Sequence, residues 1–159
     1  MSALIQKADG TYIVLRYLSM DEIFMPKVDL SDEDYETLAT FRNAMRNFLA
    51  FSENKASEKG LTPQQHQALL AIRATRGDRA TIGHVADRLL LKPHSTSGLI
   101  ARLENMGMIK RKASTADGRQ YLLILTSKAT RILAELSTTH REELRRLRPM
   151  LTTLLDQLK

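Results

Sequence analysis

The chain has 159 residues, of which 43% are hydrophobic, a formal net charge of +6 and no cysteine. That length and apolar content suit one domain with a packed core, and the missing thiols exclude disulfides, thiolate metal sites and cysteine-based redox sensing. The first ten residues lack the apolar stretch of an export signal, and no apolar run reaches the roughly 18 residues of a membrane span, so a cytoplasmic protein without a membrane partner is expected.

Residues 1–30 read as an N-terminal extension, with strand-like composition over Thr11–Tyr17 and a short helix expected at Met20–Met25. Ser31 then caps a helix whose Asp32, Glu33 and Asp34 favour its positive end. Its stripe of Leu38, Phe41, Met45, Phe48 and Leu49 runs to a stop near Gly60, so residues 31–60 form one element. Thr62-Pro63 opens a second helix, which carries Leu69, Leu70 and Ile72 and is expected to end at Gly77.

Two short helices follow. Ile82, Val85, Ala86 and Leu89 share one helical face, and Leu99, Ile100, Leu103 and Met106 share another. Leu90-Leu91-Lys92-Pro93 separates them, since the residue before a proline is driven out of the helical region while proline suits a first turn. After Pro93 stand His94, Ser95, Thr96 and Ser97, small polar groups at a helix start that suit base edges or phosphates. Next comes a hairpin: Ile109–Ser114 alternates apolar and basic residues, Tyr121–Leu125 is β-prone, and Ala116-Asp117-Gly118-Arg119 makes the turn.

The charge is concentrated in this same stretch. Residues 73–119 hold ten Lys/Arg and four Asp/Glu, and the remaining fourteen basic and fourteen acidic residues cancel. A cationic helix pair and hairpin suits a polyanion, where phosphate neutralisation releases counterions.

The ordered set of Thr81–Leu89, Ser95–Glu104, Gly107–Arg111, Asp117-Gly118-Arg119 and Tyr121–Thr126 resembles the MarR family of winged helix-turn-helix transcription regulators, over roughly residues 31–159. The resemblance implies a mainly α fold with a small β-hairpin wing, a DNA-binding lobe at 61–125 and dimerisation through the helices of 31–60 and 126–159. It places recognition-helix contacts on Lys92, Pro93, His94, Ser95, Thr96, Ser97 and Arg102. Wing contacts fall on Arg111, Lys112 and Arg119, with Asp117 orienting Arg119, and a backbone contact falls on Thr81. The turn departs from the older helix-turn-helix pattern by having Leu90 and Leu91 where a glycine often sits.

Beyond the hairpin, Thr126 caps a helix through Ile132, Leu133 and Leu136 to Arg148, and Pro149 is expected to open a separate last helix. Leu147, Leu151, Leu154, Leu155 and Leu158 recur at three- and four-residue steps. They suit either packing within the chain or a homodimer, and the dimer would set two readers about 34–36 Å apart on a pseudo-palindromic operator. In MarR-family proteins small aromatic or phenolic effectors bind where the dimer helices meet the reading lobes. Here that junction would include Phe41, Met45, Phe48, His66 and Leu70, and the expected outcome is a ligand-responsive repressor.

His66, His84, His94 and His140 stand apart from one another in the chain, and His140 falls in a polar run read as a solvated helix face, so neither a metal nor a cofactor is expected. No phosphate loop, nucleophile elbow or His-Glu-x-x-His pair is present, which points away from an enzyme. The other class that the residues allow is a non-catalytic winged-helix module docking on an acidic protein partner.

Overall fold

The computed structural model describes residues 2–6, 12–16, 30–75, 80–114 and 120–157, the first two segments by their backbone alone. The chain divides into two units, Met1–Tyr35 and Glu36–Lys159. In the first, β1 (Ser2–Gln6) pairs antiparallel with β2 (Tyr12–Arg16), in register from Ser2↔Arg16 to Gln6↔Tyr12. The β-rich composition of 12–16 announces β2, whereas Ser-Ala-Leu-Ile-Gln has no strong strand preference of its own. The helix expected at 20–25 lies outside the described residues.

Helix α1 (Asp32–Glu58) starts at the expected cap. The Asp34 backbone N–H donates to Ser31 Oγ, while the Ser31 N–H and hydroxyl both donate to the Asp34 carboxylate. Those bonds, the side-chain one first, hold the Asp34 carboxyl below its ordinary range. At the other end, Gly60 takes the left-handed conformation at φ 71°. The N–H of Leu61 then reaches the carbonyl of Ala56 and that of Gly60 the carbonyl of Ser57, a Schellman stop.

Helix α2 (Pro63–Ala74) opens on a capping box. Gln65 N–H donates to Thr62 Oγ1 (3.3 Å) and Thr62 N–H to Gln65 Oε1 (2.9 Å). It ends three residues before Gly77, because Thr75 turns extended and its hydroxyl takes the carbonyl of Ala71 (2.8 Å). Helices α3 (Ile82–Leu89) and α4 (Pro93–Asn105) follow, each with a buried face close to the expected one.

Strands β3 (Ile109–Ala113) and β4 (Tyr121–Leu125) form the wing, in register from Ile109↔Leu125 to Ala113↔Tyr121. Leu123 N–H also donates to the carbonyl of Ala80 (2.7 Å), which ties the start of the helix pair to the wing. Thr126 locks the exit from β4, its N–H donating to Met108 O and its hydroxyl to Gly107 O. The same hydroxyl accepts from Ala129 N–H and so caps the next helix.

That helix, α5, runs unbroken over Ser127–Gln157. This corrects the expected break at Pro149, which sits inside the helix. Proline removes one N–H from the ladder and crowds the carbonyl four residues earlier, but Arg145 is exposed and water can serve its carbonyl. Beyond the proline, Leu154 is buried and Thr37 Oγ1 donates to Gln157 Oε1 (3.4 Å), so the last turns are held against α1.

The core gathers Leu69 from α2, Val85 from α3, Leu99, Ile100 and Leu103 from α4, and Ile109 and Leu123 from the wing, with Leu133 and Leu136 of α5 against them. Apolar α4 positions therefore fix the orientation of its opposite, polar face.

Candidate DNA-binding surface

The reading surface begins at the α3 cap. Thr81 Oγ1 accepts from His84 N–H (3.2 Å), so this hydroxyl holds the helix start rather than standing free. Beside it Thr81, Ile82 and Gly83 face Gln120 and Tyr121 of the wing across an open cleft of about 370 Å³. His84 Nε2 lies 2.8 Å from Thr75 Oγ1. Because that hydroxyl spends its one proton on Ala71 O, the imidazole is the donor, and it ties α3 to the end of α2.

Leu90 makes the turn. It occupies the left-handed region at φ 53° with its side chain 93% exposed. The bonds are those that end α1, with Leu91 N–H on Ala86 O and Leu90 N–H on Asp87 O. A leucine thus fills the place that Gly60 and Gly107 take in the same kind of stop, at a steric cost that glycine would escape.

Helix α4 starts with Pro93 at its first position and no side-chain cap on Lys92. Its first-turn N–H groups therefore remain open to an anion. Lys92, Pro93, His94, Ser95, Ser97 and Arg102 are exposed. Thr96 is not: it is 0% exposed and its hydroxyl donates to Lys92 O (3.2 Å), which corrects its placement among base-reading residues. Thr96 sits one turn before Ile100 on the core side, so its methyl packs inward while its hydroxyl is satisfied by the preceding turn. Ser97 also bonds back, to Pro93 O (3.0 Å), though its oxygen remains at the surface.

Gly98 was missed by sequence reasoning. It lies midway between His94 and Arg102 at four-residue steps, and a Cβ there would stand 3.6 Å from an Arg102 guanidinium nitrogen. The Arg102 side chain thus lies back over a bare stretch of helix, and the i, i+4 spacing was the signal that could have found it.

On the wing, Lys110 and Lys112 are exposed, whereas Arg111 Nε lies 3.0 Å from Glu104 Oε2. Arg111 accordingly braces the wing on α4 as well as adding charge. Asp117 and Arg119, the tip residues, lie outside the described residues.

At the junction of the long helices, the expected ligand residues separate. Met45 and Leu70 are exposed, Phe41 and Phe48 half-buried, and His66 buried. What the structure brings together is Phe48 and His66 around His140, with Phe51 as a fourth member. His140 is 8% exposed, so its expected place on a solvated face is corrected: Leu133 and Leu136 set the buried stripe of α5, and 140 continues it at the next four-residue step. Burial first, and the neighbouring His140 second, keep the His66 imidazole below its ordinary range and so neutral.

Among the described residues no three His, Asp or Glu side chains gather as metal ligands would, and no helix is long and apolar enough to cross a membrane.

A helix pair with an exposed polar face beside a two-stranded wing defines a winged helix-turn-helix. Residues 59–120, which hold most of this winged helix-turn-helix, match the MarR family model. The fold is shared with AbsC, a MarR family transcriptional regulator from Streptomyces coelicolor (22% identity, TM-score 0.61, 74% of this chain and 79% of that one). It is also shared with MepR, a transcription regulator of the Staphylococcus aureus multidrug efflux pump MepA (20%, 0.64, 76% and 96%), and with a MepR–DNA complex (20%, 0.59, 76% and 94%). No curated protein matches the chain.

Proposed function

We propose that the protein is a non-catalytic, sequence-specific DNA-binding transcription regulator of the cytoplasm. The observation that carries this reading is the open face of α4. His94, Ser95, Ser97 and Arg102 lie exposed around an uncapped helix start, with Lys110 and Lys112 beside them, in the stretch that holds the whole net charge. The neighbouring MepR has been captured on DNA with the same fold. On this reading residues 61–125 form the reading lobe, α4 enters the major groove and Arg119 the adjacent minor groove, oriented by Asp117. The cleft between Thr81 and the wing then lies against the phosphate backbone.

The terminal helices, 31–60 and 126–159, make a homodimer on a pseudo-palindromic operator. Leu38, Met45 and Leu49 of α1 and Leu144, Met150 and Leu155 of α5 are exposed apolar residues in need of cover. Leu147 and Leu151 are half-buried, and Leu158 lies outside the described residues. Repression follows if the operator overlaps a promoter. A small aromatic or phenolic effector at the junction of α1 and α2 would release the DNA only by preferring one spacing of the two readers.

The test is enrichment of the purified protein's targets from random duplexes, followed by affinity against salt. A palindromic motif and a steep fall of affinity with salt are expected, with Arg102→Ala or Ser95→Ala relaxing preference at particular base pairs. Equal retention of all duplexes would instead favour docking on an acidic protein.

A further inference from the structure

The proposed DNA reading leaves one buried cluster unused. His66 of α2 and His140 of α5 stack with ring centroids 5.0 Å apart and planes 22° from parallel. Phe48 and Phe51 of α1 meet His140 edge-on at 6.1 and 6.0 Å. His66 is 6% and His140 8% exposed, and among the described residues His140 Nε2 is a buried side-chain nitrogen with no hydrogen-bond partner. A buried imidazole nitrogen without a hydrogen-bond partner carries a desolvation cost.

We infer that the His66–His140 stack is a proton-operated joint between the DNA-reading lobe and the long C-terminal helix, closed while His66 is neutral and opened when it gains a proton. A cation placed there would face a second imidazole and two phenyl rings, with no carboxylate hydrogen-bonded to either imidazole among the described residues. The ring contacts from α1 are those of Phe48 and Phe51, and α2 has no charged residue before Arg73. The ionic groups nearest along the helices, Arg46 and Glu53 on α1 and Arg141 and Glu142 on α5, are exposed, and Glu143, one turn beyond His140, is paired with Arg146. Burial first, and repulsion between charges on the two imidazoles second, oppose protonation of His66.

The sign follows from linkage. A group that gains its proton more readily in the open state makes the closed state lose stability as pH falls below the ordinary imidazole range. Because α2 belongs to the lobe and α5 to the arm, opening the joint changes the angle at which α4 is presented. Its effect on DNA rests on the proposed regulator function; its effect on stability does not.

The full-length chain is measured at pH 7.5 and 5.5, wild type beside His66→Gln, His140→Phe and the double variant. The wild-type unfolding midpoint, followed without DNA, falls on acidification. Its affinity for an enriched duplex falls by up to about tenfold for each pH unit over which one proton is excluded. The double variant loses both effects, changing affinity less than about twofold.

A wild-type midpoint that does not move, or an equal acid loss in the double variant, overturns the joint. Should the double variant not fold, NMR titration of the wild-type imidazoles decides. His66 staying neutral below the ordinary imidazole range supports the joint, and protonation within that range overturns it. No duplex binding at pH 7.5 with an acid-sensitive midpoint would refute the regulator function while supporting the joint.

Discussion

Leu90 shows how a single residue can be locally wrong and globally tolerated. Its positive φ is one that L side chains adopt at a cost of about 1–2 kcal/mol, and its exposed side chain recovers almost nothing by burial. Leu90→Gly is therefore expected to stabilise the fold by about 0.5–1 kcal/mol, the rest being lost to the freedom of glycine in the unfolded chain, and chemical denaturation measures it. Thr96 makes the complementary point. Its polarity invites a role on DNA, yet its neighbours in three dimensions are the core and the carbonyl of Lys92. Thr96→Val should lower stability by about 1 kcal/mol or less and leave the selected DNA motif unchanged, whereas a shifted motif would return Thr96 to the reading face.

Among the elements, those with strong local signals were legible in the chain. Ser31, Thr62-Pro63, Thr126 and Gly60 mark helix ends by side-chain and backbone chemistry that acts within a few residues. The wing is equally plain, because alternation and a turn signal suffice to specify a hairpin. Pro149 misled because its local cost was overridden by contacts at the far end of α5, where Leu154 and Gln157 meet α1. Pro149→Ala should restore the N–H donated to Arg145 O and raise stability, by up to about 3 kcal/mol, read as a higher unfolding midpoint with helix content unchanged. A drop in stability would show that the proline is accommodated by a bend the fold needs.

At the scale of the molecule, the leucines of α5 divide between two duties. Leu154 is buried within the chain, while Leu155 is 55% exposed and faces away from its own core. Leu154→Ala is expected to cost about 2–4 kcal/mol of stability in a single chain. Leu155→Asp should leave the fold intact and shift the molecule toward monomer in sedimentation, with loss of tight binding to a two-half-site duplex. A dimer as strong as wild type would place the interface elsewhere.

Periodicity, caps, turns and charge are properties of near neighbours, and they suffice for the order of helices, the wing and the basic stretch between residues 73 and 119. Long-range packing is what turns Thr96 inward, braces Arg111 on Glu104 and brings His66 and His140 together across two helices. Those outcomes depend on which face of each helix the shared core claims, and the core is assembled from residues far apart in the chain.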